Sequence, residues 1–503
     1  MNLARAFADS TAKRPEKVAL FWDETQFTYA SLHSHSLAVA KVLVDRLSVR
    51  PGDRVGLWLK NRPEFVMAYF GILNTGAVVV PINNFLKPAE VSYILQDAGI
   101  EILVTDDELG AHAAALIEAK PGLKLFRVEE FPAPGDSPGS ALPLPDRLET
   151  DLAVLIYTSG TTGRPKGAML SHGNLLHNVN SCRIVLETIE DDRIAVLLPL
   201  FHSYMMTVGI LLPLLVGGSI VLVKSLSHPH HALREICARQ GTILPAIPQF
   251  YRALVSAPFP GKFPFRLCVS GAAPLPVQLL RDFEAKFQIP LIEGYGLSEA
   301  SPVVTKNPLR GVRKAGSIGL PIANVEVSVQ DDAGRMLAAG EVGEICVRGG
   351  NVMQGYWNNP EESANVMRAG WLLTGDIGYR DADGYYFITD RKKDMLLVNG
   401  INVYPREIEE MLHHFPGVKE AAVVGIPDPR KGEQPIAYVA PGDGVSLDEK
   451  ALLQFLRPKL ADYKLPRRVV ILPALPRNAT GKVLKTALRE LPTSQPPATR
   501  ARA

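Results

Sequence analysis

The sequence predicts an α/β protein built from several domains. Its 503 residues are about three times the length of a typical domain of ~150 residues. Short apolar runs alternate with helical patterns from Phe27 to about Val128 and again from Ala153 to about Pro302, which is typical of parallel strands layered with helices. After Gly316 short strands are separated by Gly turns. We therefore expect a large N-terminal domain with two doubly wound α/β subdomains and a small β-rich subdomain, followed by a small, mobile α+β domain.

The individual elements follow from the spacing of apolar residues. In the first α/β region the predicted strands are VGLWL, AVVVPI and IEILVT, and the predicted helices are EFVMAYFGILNTG and AEVSYILQDAG. The second region contains the strands AVLIYT and FRLCVSG and the helix VQLLRDFEAKF. Later strands are VEVSVQ, GEICVRG, GYYFITD, EAAVVGI and QPIAYVA, and a later helix is PREIEEMLHHF. Residues 131–145, rich in Pro, Gly and Ser, predict an extended surface connection, and residues 492–503 predict a frayed tail.

Composition excludes several classes of protein. Hydrophobic residues make up 47% and charged residues 21%, which supports a packed core and excludes a mostly disordered chain. Lys and Arg total 54 against 52 Asp and Glu, a net charge of +2 that is too balanced for binding nucleic acid by charge. The four cysteines lie far apart with no CxxC pair, and the N-terminus has no apolar export signal. These features favour a reducing, cytoplasmic location.

One uncharged stretch raises the question of a membrane span. Residues 194–223 contain no Asp, Glu, Lys or Arg, and ~20 such residues can cross a bilayer. However, Pro199 and Pro213 interrupt the run, and its end, LVGGSIVL, resembles LNTGAVVV at residues 73–80, which follows a charged segment. We interpret both as strand–helix–strand units with buried parallel strands. We expect no transmembrane span, and contact with a membrane surface stays an alternative.

The most informative motif is a loop of Gly and small hydroxyl residues. The stretch YTSGTTGRPKG, residues 157–167, comes directly after the strand AVLIY. Backbone N–H groups and hydroxyls in such a loop converge on phosphate oxygens, and a nearby Lys adds positive charge. The spacing fits neither the GxxxxGK[ST] phosphate loop nor the GxGxxG dinucleotide motif. It therefore predicts a phosphate site of another type.

This loop resembles the phosphate loop of the adenylate-forming superfamily, which includes acyl-CoA synthetases, luciferases and adenylation domains; within it, the sequence is most similar to bacterial fatty-acid–CoA ligases. Other motifs of that family follow in order. EGYGLSE, residues 293–299, is similar to its adenine loop, and WLLTGD, residues 371–376, to its ribose-binding strand end. DRKKD, residues 390–394, resembles the hinge, and NATGK, residues 478–482, the loop of the catalytic lysine. The resemblance runs from Phe27 to Lys485, nearly the whole chain.

The resemblance implies a first step in which a carboxylate attacks the α-phosphorus of ATP to give an acyl-AMP. Because both partners are anions, cations must stabilise the transition state. By resemblance, Thr161, Thr162 and Lys166 hold the β- and γ-phosphates. The resemblance also implies that Thr161 and Glu299 bind Mg2+, which prefers oxygen ligands. It implies that Lys482 bridges the α-phosphate and the carboxylate. The catalytic residues implied by the resemblance are Lys482, Thr161, Glu299 and His202.

Nucleotide recognition is divided among several loops in this family. The resemblance implies that the small residues at 271–273 leave room for adenine and that Tyr295 stacks on the base. It also implies that Asp376 and Arg391 contact the ribose. Ser298 stands where many relatives have Thr, and its hydroxyl is kept. The full set of implied nucleotide-binding residues is Thr158, Ser159, Gly160, Thr161, Thr162, Gly163, Lys166, Gly271, Ala272, Ala273, Glu293, Gly294, Tyr295, Gly296, Ser298, Asp376, Arg391 and Lys482.

In the second step the thiol of coenzyme A attacks the acyl-AMP, and relatives rotate their C-terminal domain for this step. The resemblance places the pivot at Lys393 and the CoA tunnel at Asn399 and Gly400, where a Cβ would block the pantetheine. His202 matches a histidine near the carboxylate and the thiol path. The implied domains are an N-terminal adenylation domain at 1–389, a hinge at 390–393 and a mobile C-terminal domain at 394–503.

The acid is predicted from the residues expected around its pocket. Met205, Met206, Ile247 and Phe250 are apolar, and no Arg or Lys stands among them to neutralise a second carboxylate. We expect a medium- to long-chain fatty acid, since each buried methylene contributes ~0.8 kcal/mol. A cinnamate- or benzoate-type acid stays an alternative, as does an acyl-AMP ligase that loads an acyl carrier protein, or a luciferase-like oxygenase. We expect small-molecule partners, no nucleic acid, and a monomer or homodimer.

Overall fold

The structure is a computed structural model that describes residues 1–133, 145–159, 165–224, 229–256, 263–392, 394–398, 401–428, 432–477 and 483–491. Most of the predicted surface connection, at residues 134–144, and the predicted tail, at residues 492–503, lie outside the described residues. Within the described part, helices and strands alternate through the first two thirds of the chain, and strands predominate after residue 300.

The helices, in chain order, are α1 Leu3–Lys13, α2 Tyr29–Asp45, α3 Pro63–Asn74, α4 Pro88–Asp97, α5 Asp107–Gly110, α6 Ala113–Ala119, α7 His172–Val185, α8 Leu212–Val216, α9 Pro229–Ala238, α10 Pro248–Ser256, α11 Val277–Phe287, α12 Pro360–Asn365, α13 Pro405–His413, α14 Glu449–Leu456 and α15 Lys485–Arg489.

The strands are β1 Val18–Trp22, β2 Thr25–Thr28, β3 Arg54–Leu57, β4 Val78–Pro81, β5 Ile102–Thr105, β6 Lys124–Arg127, β7 Leu152–Ser159, β8 Pro165–Ser171, β9 Arg193–Val196, β10 Ser219–Leu222, β11 Ile243–Ala246, β12 Leu267–Ser270, β13 Leu291–Gly296, β14 Val303–Lys306, β15 Leu320–Pro321, β16 Val325–Gln330, β17 Gly343–Gly349, β18 Met367–Arg368, β19 Trp371–Arg380, β20 Tyr386–Arg391, β21 Leu396–Val398, β22 Ile401–Val403, β23 Val418–Asp428, β24 Gly432–Pro441 and β25 Val469–Ile471.

Two large, mainly parallel sheets confirm the predicted α/β class. One sheet has the strand order β6-β5-β3-β4-β7-β8, and the other has the order β15-β14-β13-β12-β11-β9-β10-β1-β2. Both stretches with similar Gly turns form strand–helix–strand units, because β3 pairs in parallel with β4 and β9 with β10. Every residue of β4 and β10 is buried, as expected for parallel strands covered on both faces.

The assignment of strands to the two sheets differs from the sequence prediction. The sequence analysis places AVLIYT in the second α/β region with FRLCVSG, but β7 pairs in parallel with β4 of the first region, at Val79 and Val154. Conversely, β1 near the N-terminus pairs with β10 in the second sheet. Strands that are neighbours in sequence therefore do not always share a sheet. Strand pairing instead depends on which apolar faces meet in the core, and the largest buried cluster contains residues of both sheets.

Capping interactions explain where two helices near the candidate site begin. The Ser171 side chain accepts the N–H of Asn174, and the Asn174 side chain accepts the N–H of Ser171, so α7 starts with a reciprocal cap directly after β8. Asn359 accepts the N–H of Glu362, and Pro360 occupies the first turn of α12. Both helix starts are thus set by short local motifs.

The described residues divide into two compact units. The first contains Met1–Glu341, Ile345–Thr374 and Arg380–Phe387, and the second contains Val342–Glu344, Gly375–Tyr379 and the described residues from Ile388 onward. The strands β16, β17, β19 and β18 form a sheet in that order, with β20 paired to β19. The second unit also has a sheet of order β22-β21-β24-β23, with β25 beside β24. The proposed hinge at 390–393 stays a prediction, and its pivot Lys393 is not among the described residues.

No helix in the described ranges is long and apolar enough to cross a membrane. The uncharged residues 194–223 are divided among β9, a π-helix at Met205–Leu211, α8 and β10. Gly217 ends α8 in the left-handed conformation, with φ of 98°, and turns the chain into β10.

Candidate active site

The predicted phosphate loop connects the two strands of an antiparallel hairpin. Thr158 of β7 lies opposite Lys166 of β8, and Ser159 lies opposite Pro165. Residues 160–164, which include the predicted phosphate ligands Gly160, Thr161, Thr162 and Gly163, lie outside the described residues. The hairpin register therefore fixes the two ends of the loop at the edge of the sheet.

Glu299 lies next to this hairpin. The hydroxyl of Thr158 donates to Oε1 of Glu299 at 3.2 Å, which joins two residues that are 141 positions apart. The hydroxyl of Tyr356 donates to the same oxygen at 2.9 Å. The structure thus brings together Thr158 and Glu299, as the predicted site requires, and adds Tyr356.

Lys166 is buried and already paired. Only 8% of its side chain is exposed, and its Nζ forms an ion pair and hydrogen bond with Oε1 of Glu362 on α12. The same Nζ lies 5.5 Å from the centre of the Tyr356 ring, within the range of a cation–π interaction. Lys166 therefore has anionic and aromatic partners from one segment of the chain.

The predicted adenine loops follow the ends of neighbouring strands. Gly271–Ala273 follow β12, and Glu293–Gly296 form the end of β13 next to it. Glu293 is buried, and its Oε1 accepts the N–H of Leu275, so this carboxylate supports the turn after Gly271. The carboxyl ends of adjacent parallel strands are a common location for nucleotides.

At two of these positions a larger side chain would meet a close neighbour, severely at Gly296 and more mildly at Gly271. A Cβ on Gly296 would lie 2.1 Å from the carbonyl oxygen of Pro302, and a Cβ on Gly271 would lie 3.2 Å from the ring of Tyr204. Tyr295, next to Gly296, is half-buried. Ser298, in the next turn, shares a hydrogen bond of 3.0 Å with Ser203, which directly follows His202. The adenine loops and the His202 segment are therefore neighbours.

His202 is a neutral hydrogen-bond donor. Burial lowers its pKa to about 4, and its Nδ1 lies 3.2 Å from the backbone N–H of Tyr204, which donates to it. The proton of the neutral ring is therefore on Nε2. The residues predicted to line the acyl pocket divide into two groups, because Met205 and Met206 are fully buried in the core, whereas Ile247 and Phe250 are half-buried.

The predicted ribose residues are paired within the second unit. Nε of Arg391 lies 3.2 Å from Oδ1 of Asp376, whose side chain is only 7% exposed. Glu344 accepts the N–H of Gly375 at 2.9 Å, and the ammonium of Lys392 lies 3.2 Å from the same carboxylate. The structure therefore brings Asp376 and Arg391 together and adds Glu344 as a support for the turn before Asp376.

Four other predicted residues lie outside the described ranges. They are Lys393, Asn399, Gly400 and Lys482. Their roles stay predictions.

Sequence reasoning missed Tyr356 and Glu362, which contact Glu299 and Lys166. A signal was present, because Asn359-Pro360 is typical of a helix start and places Glu362 in the first turn of α12. The contacts themselves depend on a bridge between Tyr356 and Ala168 of β8, which no local pattern indicates.

The oxygen donors near the hairpin fit a magnesium ion that is held mainly by its nucleotide. Glu299 offers one carboxylate, of which Oε1 already receives two hydrogen bonds. Within the described ranges, no hydrogen bond reaches its Oε2, and no group of three or more His, Cys, Asp or Glu residues could hold a metal. Mg2+ commonly binds through one or two carboxylates together with substrate phosphates. The donor set therefore suits a metal that arrives with ATP.

Comparison with known proteins gives the class. The AMP-binding enzyme family matches residues 7–357, and the AMP-binding enzyme C-terminal domain matches residues 407–482. A long-chain-fatty-acid–CoA ligase of Bacillus subtilis is 34% identical over an alignment of 539 positions, which covers 97% of this chain and 94% of the relative. A feruloyl-CoA synthase of an Amycolatopsis species is 37% identical over 481 residues, covering 94% and 96%.

Solved structures agree with the fold. The crystal structure of ATP-bound MatB from Rhodopseudomonas palustris is 35% identical, with a TM-score of 0.90, and the match covers 97% of this chain and 99% of that one. The chain therefore belongs to the AMP-binding enzyme family. Its relatives are AMP-forming acid–CoA ligases, and the chain is an enzyme of this class.

Proposed function

We propose that this enzyme joins a carboxylic acid to coenzyme A in two steps. The carboxylate first attacks the α-phosphorus of ATP, which gives acyl-AMP and pyrophosphate. The thiol of coenzyme A then attacks the acyl carbonyl, which gives acyl-CoA and AMP. The observation that carries the proposal is the hairpin β7–β8, whose loop has a phosphate-binding composition and whose Thr158 is bonded to Glu299.

In the first step the chain has to hold two anions together. We assign the phosphates to the loop residues Thr161 and Thr162, with positive charge from Lys166. We assign adenine to the loops at 271–273 and 293–296, and the ribose to Asp376 with Arg391. Lys482 supplies the ammonium group between the α-phosphate and the carboxylate. These assignments rest on the motifs and on the pairings described above.

Glu299 and Thr161 are the residues that would hold Mg2+. When bound with ATP, the metal supplies positive charge to the phosphate oxygens. The chain contributes a carboxylate whose Oε1 accepts hydrogen bonds from Thr158 and Tyr356 and whose Oε2 would serve the metal.

In the second step the thiol needs a path to the acyl carbonyl. We assign this path to Asn399 and Gly400, with Lys393 as the pivot of a mobile C-terminal domain. His202 donates from Nε2 rather than accepting a proton, because its pKa of about 4 leaves it neutral and weakly basic. AMP is the leaving group, which lowers the need for a dedicated base.

A medium- to long-chain fatty acid is the proposed substrate. The apolar side chains of Ile247, just before α10, and Phe250, on α10, are half-buried. The Bacillus subtilis relative is named for long-chain fatty acids. An aromatic acid is the second candidate, since the Amycolatopsis relative is named a feruloyl-CoA synthase. Both share an apolar body and one carboxylate.

The experiment is a screen of pyrophosphate release over fatty acids of increasing chain length and over cinnamates and benzoates, with and without coenzyme A. We expect AMP and pyrophosphate as products, the best turnover with fatty acids, and acyl-CoA when coenzyme A is present. Formation of ADP would refute the proposed chemistry. The best turnover with aromatic acids would assign the second candidate, and acyl transfer to a carrier protein but not to coenzyme A would identify an acyl-AMP ligase.

A further inference from the structure

The nucleotide site of the first unit is backed by a segment that none of the recognised motifs includes. Residues 354–357 run along β8, where the N–H of Trp357 donates to Gly167 at 2.7 Å and the N–H of Met169 donates to Gly355 at 2.9 Å. The N–H of Tyr356 also donates to the hydroxyl of Ser363 on α12 at 2.8 Å. Residues 356–362 are here called the backing segment. Its first residues are hydrogen-bonded to β8 of the hairpin, and its last residues form the first turn of α12.

The backing segment contacts two residues of the proposed site at once. Tyr356 donates to Oε1 of Glu299, and Glu362 is paired with Lys166. The ring of Tyr356 also lies beneath the ammonium of Lys166. One short piece of chain thus touches both the proposed magnesium ligand and the proposed phosphate-binding lysine.

The Tyr356 contact leaves Glu299 with only one free oxygen. The phenol of Tyr356 donates a hydrogen bond of 2.9 Å to Oε1 of Glu299. Together with Thr158 it occupies Oε1 from two directions, which restricts rotation of the carboxylate. The remaining oxygen, Oε2, receives no hydrogen bond within the described ranges and is available to a cation.

The Glu362 contact keeps a buried cation neutralised. Lys166 is 8% exposed and Glu362 is 23% exposed, so the pair is largely removed from water. Removal of one partner from such a pair leaves an uncompensated charge, which is strongly unfavourable. Lys166 also lies opposite Thr158 in the hairpin, so its position is coupled to the base of the phosphate loop.

We propose that Tyr356 and Glu362 are positioning residues for adenylation: Tyr356 orients the carboxylate of Glu299 toward Mg2+–ATP, and Glu362 holds Lys166 at the base of the phosphate loop. The inference rests on the proposed function, since it assumes that Glu299 and Lys166 serve a nucleotide. It adds two residues that lie outside the motifs named above and act through Glu299 and Lys166.

Tyr356→Phe tests the first half, because it keeps the ring beneath Lys166 and removes only the hydroxyl. With the full chain, calorimetry measures ATP binding at increasing Mg2+ and AMP binding without metal. We expect the Mg2+ concentration that gives half of the full effect on ATP binding to rise roughly tenfold, because loss of a residue that orients a metal ligand commonly weakens metal binding by this amount. AMP binding should be unchanged. Tyr69→Phe is the matched control, since Tyr69 is fully buried and its hydroxyl has no partner among the described residues.

The outcomes separate the inference from the proposed function. An unchanged Mg2+ requirement in Tyr356→Phe, or equal weakening of ATP and AMP binding, would overturn the role of Tyr356. If the wild-type chain itself fails to bind ATP, the proposed function is refuted. If the wild type binds ATP and the variant behaves like it, only the inference is refuted.

Glu362→Gln tests the proposed role of Glu362, and the matched control is Glu361→Gln at the exposed neighbouring position. The ion pair is broken in three variants, namely Lys166→Gln, Glu362→Gln and the double variant. We expect each to weaken ATP binding by roughly tenfold, with no further loss in the double variant, as for residues that act as one network. If the loss in the double variant equals the product of the single losses, Lys166 acts independently of Glu362 and the inference is wrong.

Discussion

A backbone hydrogen bond fixes the tautomer of His202. Its Nδ1 accepts the N–H of Tyr204, and burial lowers its pKa to about 4, so the neutral ring presents a proton on Nε2. Such a group donates to an oxygen on which negative charge develops, and it needs no reorganisation to do so. We therefore expect His202 to stabilise the reacting carboxyl group, and we do not expect it to remove a proton from the thiol.

This tautomer predicts the pH dependence of pyrophosphate release. Between pH 5.5 and pH 8, wild type and His202→Gln should have rate profiles of the same shape, because His202 does not titrate in this range. The variant should be slower by roughly 100-fold, as is common after loss of one such donor. A break near pH 6.5 that is present in the wild type and absent from the variant would contradict the prediction.

Residue-scale features were predictable where they lie within one motif. The order of the motifs named Thr158 and Glu299, and the structure joins these two residues by a hydrogen bond, while the roles of the loop residues stay predictions. The contact of Tyr356 with Glu299 was not predictable, because these residues are 57 positions apart and meet only after residues 354–357 pair with β8. The lowering of the pKa of His202 likewise depends on its burial. Burial of one side chain cannot be predicted from a single histidine in an apolar run.

Among the elements, α1 and α7 are joined by a buried histidine. Nδ1 of His172, the first residue of α7, accepts the N–H of Leu3 at 3.2 Å. Only 2% of His172 is exposed. Burial, with a smaller contribution from Arg147, lowers its pKa from 6.5 to about 4. The contact therefore requires a neutral ring.

This histidine predicts a loss of stability in acid. Because the folded-state pKa lies below the unfolded value, the stabilisation is complete above pH 6.5 and is lost as the pH falls toward 4. For a shift of this size the loss approaches about 3 kcal/mol at pH 4. His172→Gln, which can still accept the N–H of Leu3, should show a smaller fall in melting temperature between pH 7 and pH 4.5. An equal fall in both proteins would contradict the prediction.

Among the elements, the sequence predicted the positions of strands and helices better than it predicted which strands pair in a sheet. The units β3–α3–β4 and β9 to β10 follow from buried β-branched runs and Gly turns, and both were confirmed. The sequence put β7 in the second α/β region, whereas the structure pairs it with β4 in the first sheet, because strand pairing between distant segments has no local signal. The hairpin that carries the phosphate loop thus belongs to a different sheet from the adenine loops.

The whole molecule has two compact units, and the proposed reaction has two steps. Lys482→Ala should slow acyl-AMP formation by several orders of magnitude, because it removes the proposed ammonium from the first step, while thiolation of supplied acyl-AMP largely survives. Gly400→Leu should do the reverse, since its side chain would obstruct the proposed pantetheine path. Pyrophosphate release and thioester formation from supplied acyl-AMP, assayed separately, measure the two steps.

A matched control for this pair is Lys419→Ala, a partly exposed lysine of β23 in the second unit. It should leave both steps unchanged. Equal loss of both steps in Lys482→Ala, or equal loss of both in Gly400→Leu, would contradict the separation of roles. At this scale the family and class were predictable from the order of the motifs. The acid was not, because the shape of a pocket depends on packing among segments far apart in the chain.

The π-helix at Met205–Leu211 begins three residues after His202 and has a wider winding than an ordinary helix. Such a span is equivalent to one residue inserted into a regular helix, and each residue turns a helix by about 100°. Loss of a single codon within it would turn the two flanking segments relative to each other by about 100°, although every residue of the span is buried. A library of single-codon deletions sorted for product should therefore discard genes that are shortened within this span.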